Sequence, residues 1–94
     1  MGKAVYKVEG GKMLKVWADK QGDKISKVTI TGDFFLHPED LIYDLERSLV
    51  GQLLDVDVLE RFISRFLKDR GGTLLGASPK DIARCIVMAL EDVE

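Results

Sequence analysis

Hydrophobic and polar residues alternate through the first third of the chain. Over residues 4–9, Ala4, Tyr6 and Val8 fall on one side and Val5, Lys7 and Glu9 on the other. Such a period of two is that of a half-buried strand. Gly10-Gly11 interrupts the run, and paired glycines between two alternating runs signal a hairpin. Over residues 13–18 the alternation resumes, with Leu14, Val16 and Ala18 set against Met13, Lys15 and Trp17. Asp19-Lys20-Gln21-Gly22-Asp23 is a polar turn. Residues 24–31 form a third strand, with Val28 and Ile30 on one face and Lys27 and Thr29 on the other. Connections this short join antiparallel neighbours, so the pattern predicts a three-stranded meander.

After Gly32 the period changes to that of a helix. Over residues 38–50, Leu41, Ile42, Leu45 and Leu49 form one stripe, and Gly51 is a stop. A second helix starts near Asp55 or Asp57, where Asp57 and Glu60 have capping-box spacing. Its stripe, Leu59, Phe62, Ile63, Phe66 and Leu67, is the cleanest amphipathic face in the chain, with Phe62, Ile63 and Phe66 at its centre; Gly71-Gly72 ends it. Ser78-Pro79 opens a third helix as cap and first turn, with Ile82, Ala83, Ile86, Val87 and Leu90 facing inward. Three strands followed by three helices predict an α+β, two-layer fold with the helices on one face of the sheet. Ala4, Tyr6, Val8, Leu14, Val16, Ala18, Val28 and Ile30 should meet the helices, provided no bulge shifts a strand. The opposite face, with Val5, Lys7, Met13, Lys15, Trp17, Lys27 and Thr29, is then left uncovered.

Length and composition add bounds. The chain has 94 residues, which predicts one domain over residues 1–94. The hydrophobic fraction of 46% and charged fraction of 32% are those of an ordinary globule. A net charge of −2 gives no basic excess for a nucleic-acid partner. With the one cysteine, Cys85, no disulfide forms within the chain, and a single thiol suits a reducing compartment. The opening residues lack the apolar run of a signal peptide, and no stretch reaches membrane-span length. The expectation is a cytoplasmic protein with no membrane partner.

Candidate chemistry is sparse. The single His37 cannot build a multi-histidine metal site, and its place before Pro38 suits a helix entry. Cys85 lies at the edge of an apolar stripe, as a packed structural thiol does, rather than paired with His37. Gly71-Gly72 is followed by Thr73-Leu74-Leu75, which is not a phosphate-binding loop. Asp55, Asp57 and Glu60 read as acids at a helix start rather than as a cation site. The residues therefore predict no catalytic group in the isolated chain and no metal site. Two places keep two readings. Gly10-Gly11-Lys12 is either a tight hairpin with an exposed lysine or a flexible backbone that lets Lys12 approach a phosphate or carboxylate. Trp17, ringed by Lys7, Lys15 and Lys27, is either a partner-facing patch or covered by Leu74-Leu75 or the chain ends.

The most specific stretch joins the two halves. In Ile30-Thr31-Gly32-Asp33-Phe34-Phe35-Leu36-His37-Pro38-Glu39-Asp40, Gly32 breaks the alternation and Asp33 can hold a turn through backbone amides. Adjacent Phe34 and Phe35 cannot both point to one side of extended chain, so one enters the core and the other faces elsewhere. Gly32-Asp33-Phe34-Phe35 with Pro38 resembles the Gly-Asp-Phe-Phe-x-x-Pro signature in the C-terminal accessory domain of lipoate–protein ligases. The resemblance extends to Gly10-Gly11-Lys12-Met13-Leu14-Lys15-Val16, to the strand Ile25-Ser26-Lys27-Val28-Thr29-Ile30, and to the helix end Leu49-Val50-Gly51. It covers nearly the whole chain and leaves no room for the large catalytic domain.

The resemblance implies a non-catalytic subunit of a two-component lipoate–protein ligase. Its partner would be the large catalytic subunit, which binds lipoate, ATP and Mg²⁺, forms lipoyl-adenylate and transfers the lipoyl group to a lysine of an acceptor domain. The accessory domain closes over the nucleotide-bearing domain, which favours Gly10, Gly11 and Lys12 as nucleotide-proximal residues in the complex. Gly32, Asp33, Phe34 and Phe35 are the motif, and Met13, Lys15 and Trp17 the candidate interface. The alternative is a small protein-interaction adapter, docking through the Trp17 face and unconnected to lipoate.

Overall fold

In the computed structural model, which describes residues 2–10 and 12–91, the alternating runs form three strands: β1 (Gly2–Lys7), β2 (Met13–Gln21) and β3 (Lys24–Gly32). They make an antiparallel sheet in the order β1-β2-β3. The predicted inward face is the observed one. Ala4, Val8, Leu14, Val16, Ala18, Val28 and Ile30 are buried, and Tyr6 is half-buried against them. Ile25 joins this core although it is out of step with Val28 and Ile30. The cause is a bulge: Asp19 pairs with Lys27, but Lys20 pairs with Ile25, so Ser26 is an extra residue on β3.

The next segment departs from expectation. Residues 35–37 do not lead directly into a helix. They form β4 (Phe35–His37), which pairs antiparallel with β5 (Thr73–Leu75) in a second, two-stranded sheet. The first helix, α1 (Leu41–Leu49), begins only after a turn in which the Leu41 N–H donates to the Pro38 carbonyl at 3.0 Å. Asp40 is its N-cap, so Pro38 lies ahead of the helix rather than in its first turn. The His37–Pro38 peptide is cis.

The second helix, α2 (Val56–Arg70), is capped by Asp55, whose carboxylate accepts the Val58 N–H at 3.0 Å. Asp57 is therefore a first-turn acid and not the cap. Gly71 closes the helix in the left-handed conformation, with φ of 63°. The third helix, α3 (Pro79–Glu91), has a reciprocal capping box. The Ser78 hydroxyl accepts the Asp81 N–H at 3.1 Å, and the Asp81 carboxylate accepts the Ser78 N–H at 2.9 Å.

The helices bury their stripes on one side of the sheet. α3 lies on β1 and β2, α1 lies on β3, and α2 packs against α3. Ile82, Ala83, Ile86 and Leu90 are buried as expected, joined by Cys85 and Ala89. On α2 the expected stripe is rotated. Leu59, Ile63 and Leu67 are buried, whereas Phe62 and Phe66 flank them half-buried, with the Arg70 guanidinium 5.0 Å from the centre of the Phe66 ring. No helix among the described residues is long and apolar enough to cross a membrane.

The rotation fixes which truncation is costly. Ile63→Ala removes a wholly buried side chain and should destabilise the fold by about 2–5 kcal/mol, the range for cavity-creating core changes. Phe62→Ala should cost clearly less, despite deleting more atoms. Denaturant midpoints of the two variants give the order, and the reverse order would place Phe62 in the core.

Candidate functional site

Both motifs meet at one end of the three-stranded sheet. The hairpin between β1 and β2 is closed by the Val8 N–H donating to the Lys12 carbonyl at 2.7 Å, with Gly10 at φ of 97°. Gly11 lies outside the described residues. Lys12 is exposed. The next residue, Met13, is tied to the other motif from both sides. The Asp33 N–H donates to the Met13 carbonyl at 2.9 Å, and the Met13 N–H donates to the Asp33 carboxylate at 3.4 Å. Asp33 thus does bind a backbone amide, but across the sheet and not within its own turn.

Gly32 makes this closure possible. A Cβ at that position would sit 2.4 Å from the Met13 carbonyl oxygen and 3.0 Å from the Leu14 Cα, and its φ of 152° also favours glycine. The chain then turns outward. Phe34 packs half-buried on the core, whereas Phe35 is 64% exposed beside its pairing partner Leu75, 62% exposed. An open groove of about 340 Å³ runs past Ile30, Gly32, Phe34, Phe35, Glu39 and Ile42.

The far face of the sheet carries the third group of expected residues. Met13 and Val5 are 40% and 43% exposed. Trp17 lies half-buried with the Lys15 ammonium 5.5 Å and the Lys3 ammonium 5.8 Å from a ring centroid, within cation–π reach. The helices pack on the other face, and Leu74-Leu75 is occupied in pairing with β4, so it does not lie across Trp17. Lys3 was not an expected member of this group. Its signal was the continuation of the β1 alternation back to Gly2, which sets Lys3 directly opposite Trp17 in the register. Glu46 was also missed. From α1 its carboxylate accepts the Ile30 N–H at 2.7 Å and so covers the outer edge of β3.

Cys85 is wholly buried, with its sulfur 3.7 Å from the Ala4 carbonyl oxygen, and burial pushes its thiol up to about 11. His37 is exposed in β4, on another element. Among the described residues no group of three or more His, Cys, Asp or Glu could hold a metal ion.

Comparison with known proteins gives this arrangement a family. No family model matches the chain. Over 76 residues, 79% of this chain and 76% of the relative, it is 30% identical to lipoate-protein ligase A subunit 2 of Thermoplasma acidophilum. Among solved structures it resembles, with a TM-score of 0.74 and 28% identity, a chain from a structural analysis of an archaeal lipoylation system, a bipartite lipoate protein ligase and its E2 lipoyl domain from Thermoplasma acidophilum. That likeness covers 89% of this chain and 91% of that one. An α+β domain with the Gly-Asp-Phe-Phe motif at the end of a three-stranded sheet is thus of the lipoate–protein ligase class. Within it, the chain belongs to the family of lipoate–protein ligase A subunit 2, which sets aside the unrelated adapter.

Two outcomes follow from the geometry. Gly32→Ala forces a methyl group against the Met13 carbonyl, so a loss of about 1–3 kcal/mol of stability is expected in thermal or denaturant unfolding. An unchanged midpoint would mean that β3 does not close on Met13. The second concerns Cys85. A free thiol loses its proton near 9.0, and the folded one near 11, so between these values the folded state binds more protons than the unfolded state. The contribution is complete below pH 9 and falls as pH rises toward 11. Stability of Cys85→Ala should lack this component, visible as a shallower decline than wild type over that window.

Proposed function

We propose that this chain is the non-catalytic subunit of a two-component lipoate–protein ligase. It docks on the large catalytic subunit and supports ATP-dependent formation of lipoyl-adenylate and lipoylation of an acceptor domain. The likeness along nearly the whole chain to a component of a bipartite ligase carries this reading. Lipoate, ATP and Mg²⁺ are held mainly by the large subunit. The contribution of this chain is that of a lid: it excludes water and fixes the reacting geometry.

Two surfaces have roles in this reading. Met13, Lys15 and Trp17 form the interface, because they make an apolar centre with a charged rim on a face that no helix covers among the described residues. Gly10, Gly11 and Lys12 approach the nucleotide, where the Lys12 ammonium acts as a point charge on phosphate. Asp33 and Gly32 hold the start of β2, and with it the base of that hairpin, against β3.

Reconstitution tests the proposal. The pure chain with lipoate and Mg-ATP should release no pyrophosphate, and addition of the cognate large subunit should give lipoyl-adenylate. With the large subunit saturated, Lys12→Ala should slow single-turnover adenylation by roughly ten- to a thousand-fold, the scale of losing about 1.4–4 kcal/mol of transition-state stabilisation. Trp17→Ala should instead weaken association, by about 2 kcal/mol for a central anchor. Turnover by the isolated chain overturns the subunit assignment. A wild-type rate with Lys12→Ala returns that lysine to ordinary solvated surface.

A further inference from the structure

The two edges of the three-stranded sheet are finished differently. The outer edge of β3 is covered by the connection from α1 to α2. The Gly51 N–H donates to the Ile25 carbonyl at 2.7 Å, the Ile25 N–H to the Gln52 carbonyl at 3.0 Å, and the Leu54 N–H to the Asp23 carbonyl at 2.8 Å. Further along, Glu46 takes the Ile30 N–H. Among the described residues, no comparable cover lies on β1. The hairpin-closing bond from Val8 to Lys12 sets the alternation: Gly2, Ala4 and Tyr6 exchange hydrogen bonds with β2, and the backbone groups of Lys3, Val5 and Lys7 point away from it. Among the described residues, no hydrogen bond uses these outward groups.

A six-residue edge of this kind is a template for another strand. Charge decides which strand. Antiparallel pairing of two copies about Val5 would put Lys3 of each copy opposite Lys7 of the other, and like charges directly opposite are destabilising. The same lysines attract carboxylates. Residues 1–31 carry seven lysines against three carboxylates, whereas residues 32–94 carry seven cations against thirteen carboxylates. The positive excess therefore lies on the sheet, and the side chains of Lys3, Val5 and Lys7 continue the face that holds Trp17.

We propose that β1 receives an extended strand of the large subunit, with acidic residues beside Lys3 and Lys7 and an apolar residue beside Val5, so that the sheet continues from one subunit into the other. This inference rests on the functional reading above. Backbone hydrogen bonds supply the pairing, and the alternate side chains supply the choice of partner.

Amide hydrogen exchange on the chain, alone and bound to the cognate large subunit, tests it. Alone, the amides of Lys3, Val5 and Lys7 should exchange faster than those of Ala4 and Tyr6. In the complex they should slow at least tenfold. Val5→Pro removes an outward N–H and no bond to β2, a place where an edge strand tolerates proline. It should weaken binding at least tenfold, whereas Val5→Ala, which keeps the N–H, should stay within about threefold. If Val5→Pro does not fold, exchange in the wild-type complex decides. A complex in which Lys3, Val5 and Lys7 exchange as in the free chain overturns this inference alone. Absence of any complex overturns it together with the functional reading. A homodimer that protects the same amides overturns it in favour of a second copy.

Discussion

The two-way hydrogen bonding between Met13 and Asp33 holds the site end of the molecule together. It requires β3 to approach β2 more closely than any side chain at position 32 allows. Once Gly32 permits that approach, several things are set at once. The register of β2 against β3 is pinned at its end, the hairpin carrying Lys12 is anchored on its β2 side, and the chain leaves the sheet in the direction that lays Phe34 on the core and Phe35 outside it. One close backbone contact thus joins two motifs that are some twenty residues apart in the chain.

Much of this was legible in the residues, because the main elements are built from local periodicity. Alternation identified three strands and their inward face, and Ser78-Pro79 and Gly71 marked helix ends by local chemistry, a capping hydroxyl and a left-handed glycine. What was not legible depends on partners distant in sequence. β4 and β5 are three residues each, too short to show a period, and each is a strand only because the other is there. That pairing also delays α1 to Leu41. On α2, both phenylalanines lie on the apolar stripe by spacing, but the docking of α2 on α3 places the smaller Leu59, Ile63 and Leu67 at the contact. Phe34 and Phe35 do take opposite sides, as their adjacency requires, but the bonding between Met13 and Asp33 was not legible, since it crosses from one strand to another.

The surfaces differ in a way that composition alone conceals. A net charge near zero hides a basic sheet and an acidic helical layer. On the sheet, the cations do more than keep an apolar face soluble. Lys3 and Lys15 hold their ammonium groups over the Trp17 ring. In the proposed assembly, an acidic surface would meet the lysines before the indole, which makes charge the determinant of approach and the aromatic ring the determinant of residence.

The bulge at Ser26 bears on how this sheet tolerates changes in length. On either side of it the inward residues are Ile25 and Val28, and the consecutive β2 residues Lys20 and Asp19 already pair with Ile25 and Lys27. Deleting Ser26 would leave a regular ladder with the same residues in the core. Deleting Lys27 would let Ser26 take its place opposite Asp19 with the same result, whereas deleting Thr29, beyond the bulge, would turn Val28 outward and Lys27 inward. The fold therefore has a slack link beside the β2–β3 turn, where the loss of one residue can be absorbed without disturbing either the core or the site at the opposite end.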